Sequence, residues 1–209
     1  MSSKRPRRTQ EERSAATREK LLDAAIECLV ELGYARMTTT DVADRAGVSR
    51  GAQLHHFPSK VELVTSAIRH LADRRLADLR REAAALPAGK RGIPQMTELV
   101  WSYSSNSLFM AVLDLIVASR TDRELHTALW PIEKEFAQAS SQLLRELYAG
   151  YVDHPDFELM MHLTVHMMRG MALQKIVKDD DRHRRQALKL WERLMSAVLE
   201  ERRGTGKED

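Results

Sequence analysis

With a single cysteine, Cys28, in 209 residues, the chain has no internal disulfide to hold its fold. The thiol sits among Ala25, Leu29 and Leu32 and reads as a buried side chain in a reducing compartment. It has neither a resolving cysteine nor basic neighbours to depress its pKa, which argues against a redox sensor. Long hydrophobic runs are equally scarce. The longest nearly apolar stretch, residues 108–118, is short and broken by Asp114, so no membrane-spanning helix is expected, and the mean hydropathy of -0.43 agrees. The basic start is followed by Glu11, Glu12 and Arg13 instead of an apolar segment, so no secretory leader is expected either. Alternating strand patterns are missing throughout. So are a nucleophile–base signature, a phosphate-cradling glycine loop and a metal-ligand constellation. These absences leave an all-α protein, cytoplasmic, without cofactor and not an enzyme.

What charge there is falls unevenly. Residues 1–60 carry 11 Lys and Arg against 8 Asp and Glu, and the remaining residues are neutral at 22 and 22. Lys4, Arg5, Arg7 and Arg8 form a basic arm over residues 1–14 with little apolar content. Such an arm is a disordered tail in the free protein, able to add salt-dependent contacts to DNA.

The excess positive charge accompanies the most informative segment, residues 38–60. Thr38 is a good N-cap, with Asp41 three residues on in the capping-box position. Val42, Ala43 and Ala46 give a short apolar stripe. Gly47 supplies the freedom a helix end needs, and Val48 tucks into the corner. Ser49 caps a second helix that runs to about Phe57, where Pro58 stops it. Ser49, Gly51 and Ala52 are small enough for close approach to a groove. Arg50, Gln53, His55 and His56 can reach base edges or phosphates. Residues 38–57 thus have the layout of a helix-turn-helix.

By these residues the chain resembles the TetR family of bacterial transcriptional repressors. The likeness starts at Arg18-Glu-Lys-Leu-Leu-Asp-Ala-Ala and continues through Leu32-Gly-Tyr, Ala46-Gly-Val-Ser49 and His56-Phe-Pro-Ser-Lys60 into Glu62-Leu63. Gln53 and Leu54 stand where the family usually has an apolar residue and a tyrosine, and Thr39 where an aliphatic is usual. The resemblance implies an N-terminal three-helix DNA-binding domain over residues 15–75, a helical ligand-binding and dimerisation domain over 76–203, and a short tail at 204–209. Arg50 and Gln53 are expected to face bases. Thr38, Thr40, His55 and Lys60 are expected to hold phosphates.

The remaining elements read as helices, about nine in all. Thr9 and Glu12 make a capping box for the first, which ends at Gly33, with Leu22, Ala25, Ile26 and Leu29 on its buried face. Ser59 caps a fourth that runs to about Leu86, roughly 40 Å at 1.5 Å per residue. The Pro/Gly cluster at residues 87–94 breaks it. Five more helices fall at about 94–104, 106–119, 122–149, 156–178 and 180–202. Asn106 and Thr121 serve as caps, and Pro131 is expected to kink the third of these.

Trp101, Tyr103, Phe109, Met110 and Leu113, with Trp130, Phe136, His162 and His166, are candidates to line a pocket for a small, largely apolar effector. Each is also an ordinary core candidate. His162 and His166 have a spacing that can hold a metal ion, but no Glu-x-x-His pattern or cysteine pair accompanies them, so no metal site is assigned. On the last two helices Leu163, Met167, Gly170 and Met171, with Leu190, Trp191, Leu194 and Val198, form bands wide enough to face both a core and a second subunit. The family resemblance implies a homodimer that reads a palindromic operator on double-stranded DNA and is released by the effector. An activator or dual regulator remains open, as do, from other classes, a metal-dependent enzyme and a DNA-packaging protein.

Overall fold

The computed structural model describes residues 9–85 and 92–200. It contains, among the described residues, nine helices and no strand. These are α1 (Gln10–Arg36), α2 (Thr39–Ala46), α3 (Arg50–His56), α4 (Lys60–Ala85), α5 (Ile93–Ser104), α6 (Ser107–Ser119), α7 (Arg123–Leu147), α8 (Phe157–Val177) and α9 (Asp181–Glu200). The four basic residues of the arm, most of the Pro/Gly cluster and the tail at 204–209 lie outside the described residues. No single described helix is long and apolar enough to cross a membrane.

Local chemistry sets the boundaries. Thr9 and Glu12 close a capping box at the start of α1. Gly33, at φ 72°, takes a left-handed conformation that interrupts that helix shortly before its end. A Cβ at Gly33 would lie 3.1 Å from the Asp114 carboxylate, so glycine is needed there on two counts. Ser59 accepts from the Glu62 N–H at 3.0 Å, and Asn106 accepts from the Phe109 N–H at 2.8 Å. The cap of α7 differs from expectation. Asp122, not Thr121, accepts from the Leu125 N–H at 2.9 Å, while the Thr121 hydroxyl turns back to the Ala118 carbonyl. Helix α7 runs on through Pro131.

Two units emerge. The first joins Met1–Arg75 with Ala111–Glu135, and the second joins Leu76–Met110 with Phe136–Asp209. In the first, Leu21, Leu22, Ala25, Cys28 and Leu29 of α1 are buried, as are Val42, Ala43, Phe57, Leu63, Val64 and Ala67. Burying each large apolar side chain is worth about 1.5–3 kcal/mol. Burial also pushes the Cys28 thiol above its ordinary pKa, against the pull of Arg45. The second unit has its own core of Ile93, Val100, Tyr148, Phe157, Met160, Met161, Met168, Met195 and Leu199. The methionine run on α8 is thereby largely packing.

Tyr34 ties distant parts of the first unit together. Its N–H donates to Asp114 at 2.7 Å, and its hydroxyl donates to Asp122 at 3.3 Å. The Lys60 ammonium donates to the Tyr34 carbonyl at 2.6 Å and stands 4.3 Å from the ring centre. Burial and the nearby Asp122 push the Tyr34 phenol up to about 12.

Candidate DNA-binding surface and ligand cavity

The turn between α2 and α3 is built from paired caps. Asp41 accepts from the Thr38 N–H at 2.8 Å and its hydroxyl at 2.7 Å, and the Asp41 N–H donates back at 3.2 Å. Those hydrogen bonds hold the Asp41 carboxyl below its ordinary pKa. Gly47, at φ 65° and ψ 37°, closes α2, with the Val48 N–H reaching the Ala43 carbonyl at 3.0 Å, a wrap in which glycine avoids a Cβ penalty. Ser49 then caps α3 through the Ala52 N–H at 3.2 Å.

Helix α3 presents Arg50, Gly51, Leu54 and His55 outward, with Ala52 and His56 half-buried. Two expectations are corrected here. Gln53 does not face bases. It is 0% exposed, its Nε2 donates to the Phe57 carbonyl at 2.8 Å, and its Oε1 is buried without a partner. Positions 53 and 57 share one helical face, and buried Phe57 makes that the inward face. Lys60, expected at a phosphate, is turned onto Tyr34, where a carbonyl near the end of α1 needs a donor. Burial lowers the lysine's pKa. Leu54, 44% exposed, was not among the expected site residues. The i, i+4 step from Arg50 was the signal for it. Thr38 and Thr40 are exposed one helix earlier. Burial, His55 and Arg18 all lower the His56 pKa.

The second unit holds a partly open cavity of about 460 Å³, within the usual range for small-molecule sites. Leu99, Val100 and Tyr103 of α5 line it, with Phe109 of α6, Phe136, Ser140 and Leu143 of α7, and Met161, His162, Val165, His166 and Arg169 of α8. Tyr103 stacks on Phe136 at 5.5 Å and meets Phe109 edge-on at 5.7 Å. Of the residues proposed from the sequence, Tyr103, Phe109, Phe136, His162 and His166 are on this wall.

Trp101, Met110, Leu113 and Trp130 are not on the wall. Trp101 points off the lining face of α5 and carries the Arg184 guanidinium 4.8 Å from its ring centre. Leu113 is buried within the first unit. Trp130 is 62% exposed, off the stripe of Phe136, Ser140 and Leu143 that the helical period puts on one face. Ser140 and Arg169 escaped the sequence reading, although Arg169 follows His162 and His166 by seven and three positions on the same face.

Along α8, Leu159, Leu163, Gly170, Leu173 and Val177 are exposed, and on α9 Leu190 and Leu194 are exposed. Met167, Met171, Trp191 and Val198 are half-buried against the core of the second unit. The Trp191 indole N–H donates to Thr164 at 2.9 Å, which ties that ring inward.

Comparison with known proteins places this architecture. Residues 21–67 match the description "Bacterial regulatory proteins, tetR family". The HTH-type transcriptional regulator CymR of Pseudomonas putida is 35% identical over 195 residues, 93% of each chain. TtgR, another HTH-type transcriptional regulator of Pseudomonas putida, is 44% identical over 62 residues, 30% of this chain and 29% of its own. Among solved structures, the multidrug binding protein EbrR complexed with ethidium covers 84% of this chain and 97% of its own, with a TM-score of 0.62 and 20% identity. Salmonella enterica GusR covers 88% of this chain and 95% of its own, at a TM-score of 0.63 and 17% identity. With a helix-turn-helix built by its own caps and a regulator related over nearly its whole length, the chain belongs to the tetR family of bacterial regulatory proteins and is a DNA-binding transcriptional regulator.

Proposed function

We propose that the protein is a ligand-released repressor, acting in the cytoplasm as a homodimer on a palindromic operator. The observation that carries this reading is one chain holding both a helix-turn-helix and a separate apolar cavity of small-molecule size. Helices α4, α6 and α7 each contribute residues to both units, so strain at the cavity has a covalent route to the DNA-binding helices. EbrR, whose fold this chain shares, is a multidrug binding protein complexed with ethidium, which supports a small-molecule effector here.

In this reading α3 enters the major groove N-terminus first. Ser49, Gly51 and Ala52 allow close approach, and Arg50, Leu54 and His55 form the reading stripe. Thr38, Thr40 and His56 lie at the phosphates. The exposed apolar stripes of α8 and α9, including Leu163, Gly170, Leu190 and Leu194, pair with a second copy. Two recognition helices about 34–36 Å apart then read half-sites one turn apart. Ligand shifts the dimer toward a state with the wrong spacing, and a full 99:1 reversal takes about 5.5 kcal/mol of preference.

The test is a reporter gene whose promoter overlaps the bound sequence, with sedimentation of the free protein. Repression predicts that expression falls when the protein is present and that the free protein sediments as a dimer. A rise in expression, or a monomer at micromolar concentration, contradicts the proposal.

A further inference from the structure

The cavity of the second unit is walled mainly by apolar side chains, yet a full positive charge stands in that wall. Arg169 lines it, and the arginine's Nε is buried with no hydrogen-bond partner. The Ser140 hydroxyl, from a different helix, also lines the cavity and is also buried without a partner. Buried polar groups in folded proteins are nearly always satisfied, so two orphans around one cavity call for an acceptor that enters it. His162 and His166 add further polar edges from the same face of α8. Among the described residues, no aspartate or glutamate lines the cavity.

That charge balance selects the sign of the ligand. An organic cation needs a carboxylate or an open aromatic face. Among the described residues no carboxylate lines the cavity, and the Arg169 guanidinium itself stands 5.7 Å from the Phe109 ring centre, which takes up that ring's cation–π position. A second cation would meet repulsion in surroundings of low dielectric. A carboxylate instead matches the planar fork of the guanidinium and gains charge-assisted hydrogen bonds. Tyr103 and Phe136 offer an aromatic wall for the rest of such a molecule.

We infer that the effector is an organic carboxylate with a flat apolar body, its anionic end on Arg169 and Ser140 and its body against the aromatic wall. The inference rests on the reading of this cavity as the effector site.

The test measures binding to the full-length protein, without DNA, of three probes of matched shape: naphthalene-2-carboxylate, naphthalene-2-carboxamide and naphthalen-2-ylmethylammonium. The carboxylate is expected to bind at least about tenfold tighter than the amide, as a charge-assisted contact implies, with the ammonium weakest. Arg169→Met should abolish that preference while circular dichroism reports an unchanged helical melt. Should that variant fail to fold, Ser140→Ala is expected to narrow the same preference in part. An amide or ammonium that binds as tightly as the carboxylate overturns the inference. So does a preference that survives in folded Arg169→Met, or no carboxylate binding at millimolar concentration. Operator release is scored in a separate gel-shift experiment. A carboxylate that binds without releasing DNA leaves the anion site standing and contradicts the release mechanism. A cation that releases DNA overturns the anion site alone.

Discussion

The caps of the helix-turn-helix and the wall of the cavity treat their polar groups in opposite ways, although the Gln53 Oε1 on α3 is also buried without a partner. Around α2 and α3, Thr38, Asp41 and Ser49 have their partners within three residues. Around the cavity, Ser140 and Arg169 each leave a buried polar atom without a partner. A surface that meets a large, fixed polyanion can be finished in the free protein. A pocket whose contents come and go keeps donors for its visitor, at a cost in stability while empty.

The largest effect expected in the first unit comes from its packing. Phe57→Ala removes a ring that is only 1% exposed and should cost about 3–5 kcal/mol, read as a lowered denaturation midpoint with operator binding lost alongside. Next comes a pair on α3. Arg50→Ala should weaken operator binding by about 1–3 kcal/mol and relax base preference without lowering the melting temperature. Gln53→Met should leave base preference intact and change stability by less than about 1.5 kcal/mol. If Gln53→Met altered the selected sequence while Arg50→Ala did not, the inward assignment of Gln53 would fail.

The contrast between the units sharpens with two hydroxyl deletions. Thr38→Ala removes an N-cap and should destabilise by about 1 kcal/mol. Ser140→Ala removes a buried hydroxyl without a partner, so thermal denaturation of the ligand-free protein should be unchanged or slightly raised. Equal losses at both sites would erase the contrast between the two units.

The smallest effect is one of pH. Burial, His55 and Arg18 hold the His56 pKa below its ordinary value. The folded state therefore binds fewer protons than the unfolded chain, and stability should fall as pH drops below about 6.5. His56→Asn should flatten that part of the pH–stability curve. An unchanged slope would show that His56 is not its source.

Legibility in the sequence follows the same divide. Caps act over three or four residues, so Thr38, Gly47, Ser49 and Ser59 could be read directly, and the helices with them. What escaped was facing. Gln53 is polar, and by residue type it belonged on the surface, yet its register with Phe57 puts it inside. Lys60 was lost to a carbonyl 26 residues away in sequence, which no local pattern reveals. In the cavity unit, aromatic type alone selected Trp101 and Trp130, whereas helical phase selects Phe136 with Ser140 and Leu143. The pairing of Ser140 with Arg169 around one cavity depends on packing between helices and has no signature along the chain.

The central claim is that α3 reads sequence, twice, in a dimer. Selection of bound duplexes from a random library at about physiological salt tests it most directly. The account predicts an enriched palindrome whose half-sites are centred about one helical turn apart. Binding without enrichment, vanishing as salt rises, would contradict it.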